Sequence, residues 1–166
     1  MENAKKILDI KFFNKKNILE KHLLQIKNLW IKIFSKKEND DMELLDETIV
    51  GAVLFNNNII AISFLLCPSE KLLNSDIKQC SNIKEQGVTE NDCYLYNLCV
   101  NEDYRKKGYS KKLLEECHNY LVSIGKQKII LFVDNGNIPA ICLYNTFGYK
   151  VRMATPSGFI MEKNIH

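Results

Sequence analysis

The sequence predicts one α/β domain, with a mixed and mostly antiparallel sheet, a central parallel β-α-β pair and flanking helices. Three observations carry this expectation. Two β-rich runs, Thr48–Phe55 and Ile59–Leu66, flank Asn56-Asn57-Asn58, and asparagine tolerates the left-handed angles of a tight hairpin. The stretch from Tyr94 to Val133 alternates strand, amphipathic helix and strand, a connection that makes its two strands parallel. Two final runs, Tyr149–Ala154 and Phe159–Lys163, flank the turn Thr155-Pro156-Ser157-Gly158.

Taken in order, Ile7–Phe13 opens the chain as a strand. A helix is expected from Lys15 to Phe34. Its residues Leu19, Leu23, Ile26, Trp30 and Ile33 recur at spacings of three and four and give one buried stripe. Lys36–Asp41 is a polar break, and a short helix is expected around Met42–Asp46. Pro68 ends the second hairpin strand, because it has no N–H to give to a ladder. Ser69–Asp92 is polar, holds Gly87 and has modest helical character over Glu70–Ile83. It reads as a surface insertion, with a substrate-side lid as the alternative. Tyr94–Val100 is the next strand. Ser110–Ile124 is a helix with Leu113, Leu114, Cys117, Tyr120, Leu121 and Ile124 on one face, and Gly125 suits its C′ position. The continuous apolar run Lys128–Val133 fits the middle of a sheet. Asn137 can cap a helix that has Pro139 in its first turn and ends at Gly148. No repeat or linker divides the chain, so residues 1–166 read as one domain.

A length of 166 residues, 46% hydrophobic and 26% charged, suits one substantial core. The net charge is +3, from 23 basic and 20 acidic residues, which is too balanced to indicate nucleic acid as a partner. The longest apolar run, Ile59–Cys67, falls well short of the roughly 20 residues that span a bilayer. Met1–Ile10 is charged early and lacks a long apolar segment, so neither a secretory signal nor a membrane partner is expected. The cysteines are Cys67, Cys80, Cys93, Cys99, Cys117 and Cys142. None forms a C-x-x-C pair, so no metal site is expected. They read as reduced thiols of a cytoplasmic protein. The pattern leaves monomer and homodimer both open.

The most informative segment is Val100-Asn-Glu-Asp-Tyr-Arg105-Lys-Lys-Gly108-Tyr109-Ser110-Lys111, between a strand and an amphipathic helix. The first turn of a helix has unpaired N–H groups at the positive end of its dipole. Gly108 lets backbone approach a ligand, and Lys106, Lys107 and Lys111 add charge, so the segment suits a pyrophosphate. A plain basic turn before a helix would show the same residues, and both readings stay open at this point. The P-loop pattern and the G-x-G-x-x-G fingerprint are both absent.

The stretch from about Tyr94 to Tyr149 resembles the core of the GCN5-related N-acetyltransferase family, GNAT. That family's acetyl-CoA loop reads Q/R-x-x-G-x-G/A, and here it reads Arg105-Lys-Lys-Gly108-Tyr109-Ser110, with Ser in the last small position. A second block of the family has an Asn, an Ala three residues later, Leu-Tyr, and a Gly-aromatic pair. Here these are Asn137, Ala140, Leu143-Tyr144 and Gly148-Tyr149. The resemblance implies a GNAT-like domain and an N-acetyltransferase that moves an acetyl group from acetyl-CoA to a primary amine by direct attack in a ternary complex. The amine would belong to a protein, a peptide or a small molecule. It also implies that Leu98, Cys99 and Val100 pair by backbone with the pantetheine arm, on a strand that bulges and splays from Lys128–Val133. Lys106 to Lys111 would hold the pyrophosphate through backbone N–H groups, and Asn137 would contact the cofactor arm.

Tyr144 would stand near the thioester sulfur. A phenol is protonated at neutral pH and can give its proton to a departing thiolate, so Tyr144 is the expected general acid. The base is unassigned. Many members of the family carry a Glu in a central strand, whereas Tyr94, Tyr96, Asn97 and Phe132 hold the matching positions here. Glu90 and Asp92 are expected just before the first of these strands and Asp134 just after the second, as solvated carboxylates. His118 is expected on the polar side of its helix. The missing Glu motivates an alternative from another class, a module that binds CoA without catalysing transfer.

Overall fold

The fold is given by a computed structural model that describes residues 8–34, 42 and 44–166. In chain order the elements are β1 (Leu8–Asn14), α1 (Glu20–Phe34), β2 (Thr48–Phe55), β3 (Asn58–Leu66), α2 (Glu70–Leu73), α3 (Lys78–Glu85), β4 (Asp92–Val100), α4 (Tyr109–Ser123), β5 (Lys128–Asp134), α5 (Ile138–Thr146), β6 (Lys150–Ala154) and β7 (Gly158–Asn164). The strands form a seven-stranded sheet in the order β1-β2-β3-β4-β5-β7-β6. β4 and β5 are parallel, whereas β1 pairs with β2, and β7 with β5 and β6, antiparallel. The mixed, mostly antiparallel sheet with a parallel β-α-β pair is therefore as the sequence predicts. The chain divides into two compact units. One holds Met1–Phe64 and Asn97–Cys117, the other Leu65–Tyr96 and His118–His166.

In the first unit, Asn56 and Asn57 take φ of 50° and 66°, which makes the two-residue turn between β2 and β3. Val50, Ala52, Ile60, Ile62, Leu113 and Leu114 form much of its core. Gly51 brings β2 close to α4: a Cβ there would lie 3.2 Å from Cys117 Sγ and 3.3 Å from Leu113 Cδ1.

Two expectations about the first helix are corrected. It starts at Glu20 and not Lys15, because Asn14 Oδ1 accepts the N–H groups of Lys16 (2.9 Å) and Asn17 (3.1 Å) and holds that segment in a turn. Its buried face is His22, Ile26 and Leu29. Leu19 and Leu23 of the expected stripe are 55% and 37% exposed. The helix is instead turned so that the His22 ring packs on Phe13 at 4.9 Å. Lys36–Asp41 lies outside the described residues, as does part of Met42–Asp46. Residues 44–46, the described end of that segment, are not helical.

In the second unit, the insertion folds as α2 and α3, with Ser69 Oγ accepting Leu72 N–H at 3.2 Å as the N-cap of α2. The core here is Cys93, Leu95, Ile129, Ile130, Leu131, Tyr149 and Met161. α4 ends with Lys126 N–H on Leu121 O and Gly125 N–H on Val122 O, and Gly125 has φ +77°. That is a Schellman motif. α5 ends the same way, with Tyr149 N–H on Tyr144 O, Gly148 N–H on Asn145 O, and Gly148 at φ +82°. Gly148→Ala would put a Cβ into that left-handed conformation. We expect a loss of roughly 1–2 kcal/mol, read as a lower thermal midpoint. A midpoint unchanged from wild type would mean that the α5 terminus relaxes without cost.

Candidate active site

The loop after β4 begins with a 3₁₀ turn, Glu102–Tyr104, whose Asn101 cap accepts Asp103 N–H at 3.4 Å. Arg105 then folds back, its Nε donating to Val100 O at 3.1 Å. Lys106 (φ +60°) and Gly108 (φ +82°) are both left-handed. This turn delivers the chain into α4, whose first ladder bond is Lys112 N–H to Gly108 O at 3.1 Å. The N–H groups of Tyr109, Ser110 and Lys111 consequently have no partner within the helix. A Ser, Asp or Asn in place of Gly108 would offer an oxygen to one of them; glycine offers none. A Cβ built at Gly108 meets nothing within 4 Å, so the space over these amides is open.

That space is a pocket of about 350 Å³ lined by Val100, Tyr104, Arg105, Lys106, Gly108, Tyr109, Ser110 and Lys111. Tyr104 is a wall the sequence reading did not assign. Its ring packs on Phe55 at 5.8 Å and near Tyr109 at 6.4 Å. Lys107 does not line the pocket. Its Nζ donates to Asp103 O at 3.1 Å and sits 5.2 Å from the Tyr104 ring centre. Its ammonium therefore fixes the loop while Lys106 and Lys111 face the pocket.

Within β4, Asn97 has φ +54°, a left-handed break in the pleat of the kind that marks a bulge. The parallel register with β5 covers three pairs, Asp92↔Lys128 to Tyr94↔Ile130, although both strands run further. Cys99 is buried, and burial pushes its thiol up to about 12, so it is not a nucleophile at neutral pH. Burial does the same to Cys117.

Asn137 and Tyr144 belong to the second unit. Asn137 caps α5, its Oδ1 accepting Ala140 N–H at 3.3 Å, and is otherwise exposed. Its carboxamide NH₂ remains as the donor group for a ligand. Tyr144 is buried on α5, with the Tyr149 ring 5.4 Å away. The expectation that no carboxylate lies inside the central strands is corrected. Asp92 opens β4 and is buried, its Oδ2 accepting Thr89 N–H at 2.9 Å and Thr89 Oγ1–H at 2.7 Å. It is thereby a turn anchor and not a solvated group. Asp134 ends β5 and is exposed.

His118 also departs from expectation. It is half-buried, with Nε2 2.9 Å from Tyr149 Oη and Nδ1 3.4 Å from Lys163 Nζ. Burial first, and the Lys163 charge second, lower its pKa from 6.5 to about 4. The folded state keeps the ring neutral where the unfolded chain would protonate it. Its stabilisation is thus complete above about pH 6.5 and is lost as pH falls toward about 4. His22 is lowered by burial as well and acts in the same direction. We expect the thermal midpoint to drop across this window, and to drop less in His118→Gln. An identical slope in that variant would assign the acid sensitivity elsewhere.

A strand, a left-handed glycine turn and an uncapped helix around a basic pocket give an α/β fold whose exposed amides and lysines suit an anion. A model of the acetyltransferase (GNAT) family matches residues 23–149, and the chain belongs to that family. It is 29% identical over 84 residues to the [ribosomal protein bS18]-alanine N-acetyltransferase of Escherichia coli (strain K12), covering 49% of this chain and 57% of that protein. The aligned part is thus a little over half the relative's length. The crystal structure of the ribosomal-protein-S18-alanine N-acetyltransferase from Escherichia coli superposes with a TM-score of 0.66 at 16% identity, over 96% of this chain and 94% of that one. The PaiA N-acetyltransferase of Thermoplasma acidophilum, in complex with coenzyme A, gives 0.66 at 18% identity over 94% and 99%. Arabidopsis thaliana NAA60, in complex with acetyl-CoA, gives 0.65 at 17% over 96% and 99%. At these identities the structural likeness is one of fold.

Proposed function

We propose that the protein is an acetyl-CoA-dependent N-acetyltransferase acting on a primary amine. The observation that carries this is the pocket before α4, where three helix-opening amides, Lys106 and Lys111 surround open space above Gly108. A diphosphate fits that chemistry: its oxygens accept the amide N–H groups, and its charge meets the helix dipole and two ammonium groups. Leu98, Cys99 and Val100 would receive the pantetheine arm by backbone, with Asn137 as a further contact. The amine nitrogen then attacks the thioester carbonyl, the carbon–sulfur bond breaks, and the Tyr144 hydroxyl protonates the departing thiolate. The amine's own proton leaves to water, and water returns a proton to the Tyr144 phenolate, which closes the cycle. The reading needs no metal. The buried thiols of Cys99 and Cys117, and a sequence without a C-x-x-C pair, support a cytoplasmic location.

The test is calorimetry with CoA and acetyl-CoA, followed by acetyl-CoA consumption across amines, starting with an alanine-initiated peptide and then polyamines and amino sugars. Absence of heat from either nucleotide would defeat the proposal. Binding of CoA without turnover on any amine would instead favour the non-catalytic module, which the commitment of Asp92 to Thr89 also supports.

A further inference from the structure

We infer that His118 is a positioning residue, which holds the Tyr149 ring and through it sets the orientation of Tyr144. This rests on the reading of Tyr144 as general acid. The geometry starts at the end of α5. In its Schellman motif Tyr149 occupies C″ and Tyr144 occupies C3, the two positions whose side chains meet when the chain turns back. Their rings lie 5.4 Å apart at 57°. Tyr149 is fully buried, so its ring is the floor on which Tyr144 rests. What fixes that floor is the Tyr149 hydroxyl, 2.9 Å from His118 Nε2.

The direction of this bond follows from the next one. Lys163 Nζ lies 3.4 Å from His118 Nδ1. An ammonium group can only donate, so Nδ1 is the accepting nitrogen and the ring hydrogen sits on Nε2. Nε2–H therefore donates to Tyr149 Oη. Packing reinforces it: the His118 ring meets Phe147 edge-on at 5.7 Å, and Phe147 is the C-cap of α5. His118 thus holds the turn that joins Tyr144 to Tyr149 at its C-cap, Phe147, and at its far end, Tyr149, and Lys163 comes from β7 to select its tautomer. A helix residue with no place in the chemistry is in this way coupled to the proposed acid.

The test uses the full chain with CoA bound, four single variants, and two readouts. The readouts are turnover of acetyl-CoA with an alanine-initiated peptide, and NMR of ¹³C-labelled Tyr144 in the CoA complex. Tyr149→Phe removes one oxygen and keeps the ring. We expect it, and His118→Leu, to lower kcat by about tenfold, the size of one lost hydrogen bond, with KM for acetyl-CoA unchanged and the Tyr144 resonances shifted. The double variant should be no slower than either single one. His118→Gln, whose Nε2 can still donate, should recover most of the loss. An unchanged kcat and Tyr144 spectrum in Tyr149→Phe would overturn the inference, even if His118→Leu failed to fold. A Gln variant as slow as Leu would also overturn it, by reducing His118 to packing. Tyr144→Phe separates the two levels. If it slows turnover while Tyr149→Phe does not, only the positioning role falls; if it does not slow turnover, the general-acid reading falls first.

Discussion

Gly108→Val is expected to weaken binding of CoA about 100-fold in calorimetry, the loss of roughly two charge-assisted hydrogen bonds. Two causes act together. Gly108 sits at φ +82°, a conformation that a β-branched residue rarely adopts, so the turn must shift and carry the Tyr109, Ser110 and Lys111 amides with it. The space above Gly108 is also open, with no protein atom within 4 Å of a Cβ placed there. Valine would not clash with the protein; it would fill the ligand's space. The fold should therefore lose only the local strain, roughly 1–3 kcal/mol, while the ligand loses its seat. Gly108→Ala should show a smaller version of both effects. Equal affinity in wild type and Gly108→Val would mean that the phosphates bind elsewhere. A collapse of the folded state would mean that the loop carries the fold, which the open surroundings of Gly108 argue against.

The fold was legible where periodicity and punctuation agree. Asn56 and Asn57 announce a left-handed turn, and they adopt one. Gly125 and Gly148 announce two helix ends, and both close as Schellman motifs. Apolar spacing misplaces the buried face of α1, because it ranks Leu19 and Leu23 above a histidine, whereas packing against Phe13 buries His22. Local chemistry also decided its start, through the Asn14 turn that a helical wheel does not see. At the pocket, the residue types were readable but not their directions. Three lysines near a glycine look alike in sequence, yet Lys107 turns onto Asp103 and Tyr104 while Lys106 and Lys111 face the cavity. Tyr104 could have been noticed, since an aromatic residue before a glycine turn is well placed to wall it. The His118–Tyr149 bond could not, because it joins residues 31 apart in the chain.

Tyr144→Phe is expected to lower the chemical rate on the order of 10²-fold, about 2.7 kcal/mol of barrier, with CoA affinity intact. The substitution is narrow by design. Phenylalanine keeps the ring that packs at a tilt against Tyr149 at 5.4 Å, and the backbone bond from Tyr149 N–H to Tyr144 O is untouched. What is lost is the proton that a thiolate would otherwise take from the phenol. A thiolate leaving without it is already a moderately stable anion, as the cysteine thiol, its side-chain analogue, shows with a pKa near 8.5. That limits the effect to general-acid size and sets it apart from the deeper loss expected when a nucleophile is removed. Single-turnover measurement is the right observation, because slow product release could mask a slower chemical step. The single-turnover rate should fall by the full factor, and steady-state turnover with it wherever chemistry limits. The fall should also be larger for acetyl-CoA than for a thioester whose thiol is more acidic, since a better leaving group needs less help from an acid. An equal fall for both thioesters would move Tyr144 from proton donor to a contact that merely aligns the thioester.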